Sequence, residues 1–248
     1  MSKVGLISLG CPKNIVDAEE ILGQVRQAGH EITSDPAEAD VLIVNTCGFI
    51  RSAKEESIEA ILDALRYRAR GACRSVIVTG CLVQRYGEEL ANEIPEADAF
   101  IGLGRAGEIA ETISRTLGGS RIVEVGSPGA WWTESRPRVL STSPWTAYLR
   151  VSDGCDNRCT YCAIPDIRGP FRSRPEQAIL EEARALADAG VGELNLVAQD
   201  VTRYGLDTED ALRLPSLLER LAEIGRVHWI RLLYCYPTRI TDDLIRAV

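Results

Sequence analysis

Along the first half of the chain, short apolar runs alternate with longer stretches of helical periodicity. The runs at 4–8, 41–45, 75–79 and 99–101 are too short for helices and carry mostly Val, Ile, Leu and Ala, which predicts buried strands. Between them, 15–28, 52–70, 84–93 and 107–117 place apolar residues at helical spacing; Ile21, Leu22 and Val25, for instance, share one face. Strands joined through helices pair in parallel with right-handed crossovers, so this half predicts an open α/β sheet.

Residues 126–143 break the pattern. Pro128 and Pro137, with Ser and Gly around them, read as a linker, and Trp131 and Trp132 read as residues that dock it on a neighbouring surface. A second βα series then runs through 144–248. It has strands at 146–152, 193–197 and 228–233, helices ending at 189 before Gly190 and spanning 215–224, and a further helix starting at 241. Ser173 and Glu176 predict a capping box, with Pro175 in the first turn. The organisation expected is therefore a first domain over 1–125, a linker over 126–143, and a second domain over 144–248 that stops mid-element, as a fragment of a longer enzyme would.

Charge and composition narrow the picture. Hydrophobic residues at 45% and charged residues at 26% are those of a soluble globular chain. The N-terminus has no signal-peptide core and no stretch reaches the ~18 apolar residues of a span, so a cytoplasmic location is expected. A net charge of −8 argues against a generic nucleic-acid binder and suits a basic partner.

Eight cysteines in such a chain demand a reason, because the cytosol keeps thiols reduced. With only two histidines, His30 and His228, a metal site must lean on thiolates, which favours zinc or iron–sulfur clusters. The segment SDGCDNRCTYCAIP sets Cys155, Cys159 and Cys162 within eight residues. Three thiolates can wrap one cluster and leave a fourth iron open to a cofactor, which a fully ligated electron-transfer cluster does not offer. A zinc knuckle would need a fourth Cys or His nearby, and Cys235 is over seventy residues away.

Cys11, Cys47 and Cys81 each follow a predicted strand, so a parallel sheet would carry all three to its carboxyl edge, where open α/β folds bind ligands. The plainer alternative is three buried core thiols. Cys73 precedes its strand and belongs to the opposite edge, and Cys235 reads as a buried thiol. Gly102, Gly104 and Gly107 spell G-x-G-x-x-G, with Glu124 at a plausible ribose distance. That motif sits in the last βα unit rather than the first, and reads as a capped helix start.

The Cys-x-x-x-Cys-x-aromatic-Cys loop, with Tyr161 at the aromatic position, resembles the radical S-adenosylmethionine superfamily. Together with the second set of three cysteines it resembles the methylthiotransferase family. Within that family, GCPKN at 10–14, NTCGFI at 45–50, AKEESI at 53–58 and the RG and RSR of 168–174 are similar to the branch that acts on a small-subunit ribosomal protein. The resemblance implies a flavodoxin-like parallel sheet followed by an incomplete radical (β/α) barrel, whose second half and a small C-terminal β-barrel domain are missing, with impaired activity alone. It also implies two 4Fe–4S clusters, one on Cys155, Cys159 and Cys162 and an auxiliary one on Cys11, Cys47 and Cys81.

The implied cofactor is S-adenosylmethionine, contacted by Tyr161, Gln199, Asp200 and Arg174, and the implied reaction methylthiolates the β-carbon of an aspartate. Clusters and cofactor then carry the chemistry, with no catalytic side chain, and a flavodoxin- or ferredoxin-like reductant is expected as a partner. Arg168, Arg172 and Arg174 would either neutralise carboxylates or anchor the loop through ion pairs. Two rivals stand beside this reading. One is methylthiolation of tRNA adenosine, for which GCQMN would be expected at 10–14. The other is a non-catalytic protein that binds an iron–sulfur cluster or zinc.

Overall fold

The computed structural model describes residues 1–71, 73–128, 136–209 and 213–248. Trp131 and Trp132 lie outside the described residues, so their docking is left to the sequence. The chain forms two compact units. The first takes residues 1–128 together with Pro137–Val139 and Tyr161–Arg168; the second takes 140–160 and Gly169–Val248.

In the first unit six strands form one parallel sheet: β1 (Lys3–Ser8), β2 (Glu31–Thr33), β3 (Val41–Thr46), β4 (Ser75–Gly80), β5 (Ala99–Ile101) and β6 (Ile122–Glu124). Their order, β2-β1-β3-β4-β5-β6, is the 2-1-3-4-5 arrangement of flavodoxin-like sheets with one strand added. The short strands β2 and β6 are additions to the sequence reading; at three residues each they are too brief to show a period.

The helices are α1 (Pro12–Gln27), α2 (Arg51–Arg70), α3 (Cys81–Glu93, with a break at Tyr86), α4 (Ile109–Leu117) and the short α5 (Ile164–Arg168). Strand parity divides the core. Val41 and Ile43 of β3 join Ile21 and Val25 of α1 and Ile109 and Ile113 of α4 on one face. On the other, Leu42 and Val44 meet Ile61 and Ala64 of α2 and Leu82, Val83 and Leu90 of α3. β3 and β4 are buried along their whole length, as strands covered by helices on both faces must be.

Part of the expected linker is fixed in this unit. The Val139 N–H donates to the Glu19 carbonyl at 3.0 Å, Arg138 pairs with Glu19, and a Cβ on Gly23 would lie 1.9 Å from the Pro137 carbonyl oxygen. The G-x-G-x-x-G glycines also serve packing. Added Cβ atoms at Gly102 and Gly104 would meet the carbonyls of Val125 and Ser127 at 1.9 and 2.1 Å, and Glu124 is paired with Arg115 at 3.0 Å.

The second unit opens with β7 (Thr146–Arg150), which stops earlier than the sequence reading places it. Its continuation β8 (Ser152–Asp153) pairs instead with the antiparallel β9 (Arg172–Ser173). α6 (Glu176–Asp188), β10 (Glu193–Val197), α7 (Leu214–Ala222), β11 (Trp229–Leu232) and α8 (Asp242–Ala247) complete it. β7, β10 and β11 lie side by side in chain order and all parallel, the opening run of a β/α barrel.

Side chains alternate between two faces in this sheet. Ala147, Leu149, Leu194 and Leu196 pack with Ile179, Ala183, Leu217 and Leu221 of the helices. The opposite parity is mostly polar, Thr146, Tyr148, Arg150, Glu193, Asn195 and Arg231, brought abreast by the register with Val197 and Trp229. The expected capping box is not formed: Ser173 gives its hydroxyl to Asp207 at 2.6 Å, and Pro175 takes the cap position of α6 without a side-chain bond. Gly190 does end that helix, at φ +104°. Among the described residues no helix is long and apolar enough to cross a membrane.

Candidate cluster and cofactor sites

The carboxyl edge of the first sheet gathers the residues flanking three of its cysteines. β1 leads to Cys11 at the cap of α1, β3 leads directly to Cys47, and β4 leads to Cys81 as the first residue of α3. In a 2-1-3-4-5 sheet the chain reverses direction between β1 and β3, and ligands settle at that switch point. Cys11 and Cys47 flank it. Two glycines make the approach possible: Gly10, at φ +98°, would carry a Cβ 2.9 Å from that of Cys47, and Gly80, at φ +99°, would carry one 2.5 Å from the Thr46 carbonyl oxygen. Both positions combine a left-handed backbone with no room for a side chain.

Asn14 ties this edge together. It is fully buried, and its Nδ2 donates to the carbonyls of Leu9 and Thr46, each at 2.9 Å, which lie two residues before Cys11 and one before Cys47. Its Oδ1 accepts from Arg168 Nη2 at 2.9 Å and lies 3.5 Å from Cys81 Sγ. Ser57 braces Cys47 from α2, accepting its N–H at 2.9 Å and donating to its carbonyl at 3.0 Å. Asn14 and Ser57 lie in the GCPKN and AKEESI motifs, where neither carries an expected role. A polar side chain a few residues from a strand-end cysteine is the signal that could have found them.

The thiols feel one another. Burial pushes the Cys81 thiol up to about 11, against the pull of the Arg168 charge, and Cys11 adds to the rise. Burial also raises Cys47, again with Cys11 contributing. Among the described residues no three Cys, His, Asp or Glu side chains are grouped at metal-binding distances. The donor set nonetheless suits iron–sulfur ligation, with sulfur atoms converging on one edge and a fixed cation beside one of them. Cys73 is a different case: buried among Leu42, Ile61 and Val76, it donates to the Ser75 carbonyl at 3.4 Å, before β4 rather than after it.

In the radical-type motif Cys155 is buried, whereas Cys159 and Cys162 are half-buried. Cys155 and Cys159 fall in the second unit and Cys162 in the first. The loop start is pinned within the second unit: the Cys155 N–H donates to the Gly169 carbonyl at 3.0 Å, and Asp156 accepts from the Phe171 N–H at 3.0 Å and Arg203 at 2.9 Å. The Phe171 bond, more than Arg203, holds the Asp156 carboxyl below the usual range. Tyr161 is 84% exposed.

At the carboxyl edge of β10, Gln199 has both side-chain amide atoms buried without a hydrogen-bond partner. On adjacent segments the same is true of Ser152 Oγ and of Nε and Nη2 of Arg172. Buried polar atoms left unpaired cost about 1–3 kcal/mol each, so three such side chains fit a polar ligand such as S-adenosylmethionine. Asp200 is buried and already engaged, accepting from Thr202 and from Arg239 at 2.8 Å. Arg174 is committed as well, to Glu182 at 2.6 Å and to the Arg150 carbonyl at 2.8 Å. Of the arginines after the loop, Arg168 and Arg174 are anchors in this structure, while Arg172 keeps nitrogens to offer. Cys235, read as buried, is half-buried after β11.

The chain matches the uncharacterized protein family UPF0004 over residues 3–102 and the radical SAM superfamily over residues 149–247. It is 54% identical over 249 residues to a protein of Desulforamulus reducens named ribosomal protein uS12 methylthiotransferase RimO, covering 100% of this chain and 56% of that protein. A protein of Desulforudis audaxviator with the same name is 53% identical over 247 residues, covering 100% and 55%. The chain belongs to the radical S-adenosylmethionine methylthiotransferase family. It spans about 55% of the length of these curated family members.

Among solved structures, the radical S-adenosylmethionine methyltransferase TsrM from Kitasatospora setae, with cobalamin and a [4Fe-4S] cluster bound, superposes with a TM-score of 0.67 at 15% identity, over 100% of this chain and 58% of that one. The cobalamin-dependent radical enzyme OxsB gives a TM-score of 0.51 at 11% identity, over 90% of this chain and 37% of that one. At these identities the likeness concerns the fold alone. It agrees with an α/β sheet followed by a radical-type β/α half.

Proposed function

We propose that this chain is the cluster-bearing part of an enzyme that methylthiolates the β-carbon of an aspartate in ribosomal protein uS12. The observation that carries the reading is the presence of two separate three-cysteine sets: one at the carboxyl edge of a parallel sheet, tied by Asn14, and one in a loop of eight residues. Family members about 54% identical bear the corresponding name. Cys11, Cys47 and Cys81 would hold the auxiliary 4Fe–4S cluster, and Cys155, Cys159 and Cys162 the second. When bound, the clusters and S-adenosylmethionine supply the methylthio group and the radical that breaks an unactivated C–H bond, which acid–base groups do not reach.

The residues of the chain bind and orient. Gln199, Arg172 and Ser152 would receive polar groups of S-adenosylmethionine, a cation facing its carboxylate and an amide able both to donate and to accept. Asp156, Phe171 and Arg203 hold the start of the cysteine loop, with the Arg203 guanidinium 4.5 Å over the Phe171 ring. Asn14 and Ser57 keep the auxiliary thiols at one edge. A cytoplasmic setting keeps these thiols reduced, and a flavodoxin- or ferredoxin-like protein would deliver the electrons.

The test is anaerobic turnover of the enzyme with S-adenosylmethionine and a reductant, offered uS12 or tRNA. Formation of 5′-deoxyadenosine, with the mass increase of one methylthio group on a single uS12 aspartate, supports the proposal. Modification of tRNA alone, or no 5′-deoxyadenosine, contradicts it.

A further inference from the structure

We infer that Arg168 is a positioning residue of the auxiliary site, which donates to the sulfur of Cys81 and so sets the reduction potential of the cluster held there. The inference rests on the proposed two-cluster function. Arg168 is 2% exposed, and its Nη2 lies 2.6 Å from Asp17 Oδ2, 2.9 Å from Asn14 Oδ1 and 3.6 Å from Cys81 Sγ. A guanidinium stays charged in proteins, so this donor is permanent.

The surroundings keep it in place. Asp17 is buried and ion-paired with Arg168, and Asn14 fixes the guanidinium from a second side. Ile167, the residue before Arg168, packs with Cys81 and Leu103, with Ala163 against them, so the sulfur has an apolar seat on one side and the Arg168–Asp17 pair on the other, with Arg168 the member that donates to it. A charge-assisted bond in such a seat is stronger than one exposed to water. Hydrogen bonds to cluster sulfurs are among the determinants of cluster potential, because they draw electron density from the sulfur and favour the reduced state.

The arrangement also assigns a use to the segment Tyr161–Arg168. It contains the last cysteine of the loop motif, Cys162, and ends six positions later at Arg168, which donates to Cys81 Sγ.

The experiment uses the 248-residue chain with Cys155, Cys159 and Cys162 changed to Ala, reconstituted anaerobically so that only the auxiliary set takes iron. Its midpoint potential is read by electron paramagnetic resonance during a redox titration. Arg168→Gln combined with Asp17→Asn removes both buried charges without stranding either one. The expected result is about four irons retained and a reduced-to-oxidised ratio about tenfold lower at a fixed poise, equivalent to about 59 mV for one electron. Arg168→Lys, with Asp17 intact, keeps the charge and gives a smaller fall. Equal midpoints in all three proteins, with about four irons each, overturn the role of Arg168. Absence of iron from the parent protein overturns the cluster assignment itself.

Discussion

Replacing Asn14 by Ala removes a side chain that reaches the ends of β1 and β3 and also Cys81. It deletes two donations to backbone carbonyls, one buried and one partly buried, at 2.9 Å each, and one acceptance from the Arg168 guanidinium at 2.9 Å. Neutral bonds contribute about 1 kcal/mol each and a bond to a charged group about 1.5–3 kcal/mol, so the loss sums to about 4 kcal/mol. Whole-protein stabilities are about 5–15 kcal/mol, which makes this a severe change. For a chain of this size it lowers the thermal midpoint by roughly 10 °C. The assay is urea unfolding followed by circular dichroism, paired with iron analysis after anaerobic reconstitution. Asn14→Ala should lose the irons of the auxiliary set and keep those of the loop. Asn14→Asp should fare no better, because it cannot donate to either carbonyl and sets a carboxylate beside Asp17. A destabilisation below about 0.5 kcal/mol, within the range of ordinary surface changes, with iron content unchanged, would refute the role given to Asn14.

Other outcomes follow from the same geometry. Gln199→Ala and Arg172→Ala should each weaken S-adenosylmethionine binding about tenfold or more in equilibrium dialysis, with little change in unfolding midpoint, since neither side chain has its buried atoms paired within the chain. Arg174→Ala should instead destabilise by about 3–5 kcal/mol, because it breaks the buried ion pair with Glu182; equal effects of all three on binding would reverse these assignments. Cys73→Ala should leave the iron content as it was, whereas Cys47→Ala reduces it. The Asp156 carboxyl is held below its ordinary range by the Phe171 N–H, so its contribution is present above the unfolded pKa of about 3.9 and lost as pH falls through the lower folded value. Asp156→Asn should therefore flatten the acid limb of the stability curve slightly, the group being half exposed and screened.

The sequence made the six cysteines and the two βα series readable, because strand-end placement and close spacing are local facts. The parallel sense of the pairings β1–β3, β3–β4 and β4–β5 followed from the helices between those strands, while β2 and β6, three residues each, carried too little pattern to be seen. The capping box at Ser173 failed for a tertiary reason: Asp207, 34 residues on, takes both the N–H and the hydroxyl of Ser173. Arg174 looked like a cofactor cation from its position after the loop, yet Glu182 on α6 claims it, a contact set by the way the helix folds back. Gln199 was visible as the end of a strand, but only the structure shows that its amide is buried and unpaired. Asn14 and Arg168 are 154 positions apart, and no periodicity in one chain foretells their meeting.

The most direct test of two clusters on one chain is the iron and sulfide content after anaerobic reconstitution of the 248-residue protein. About eight irons and eight sulfides per chain are expected, falling to about four when Cys11, Cys47 and Cys81 are changed to Ala, and to about four when Cys155, Cys159 and Cys162 are changed instead. Stoichiometric zinc, or an iron content indifferent to either set of substitutions, would contradict it.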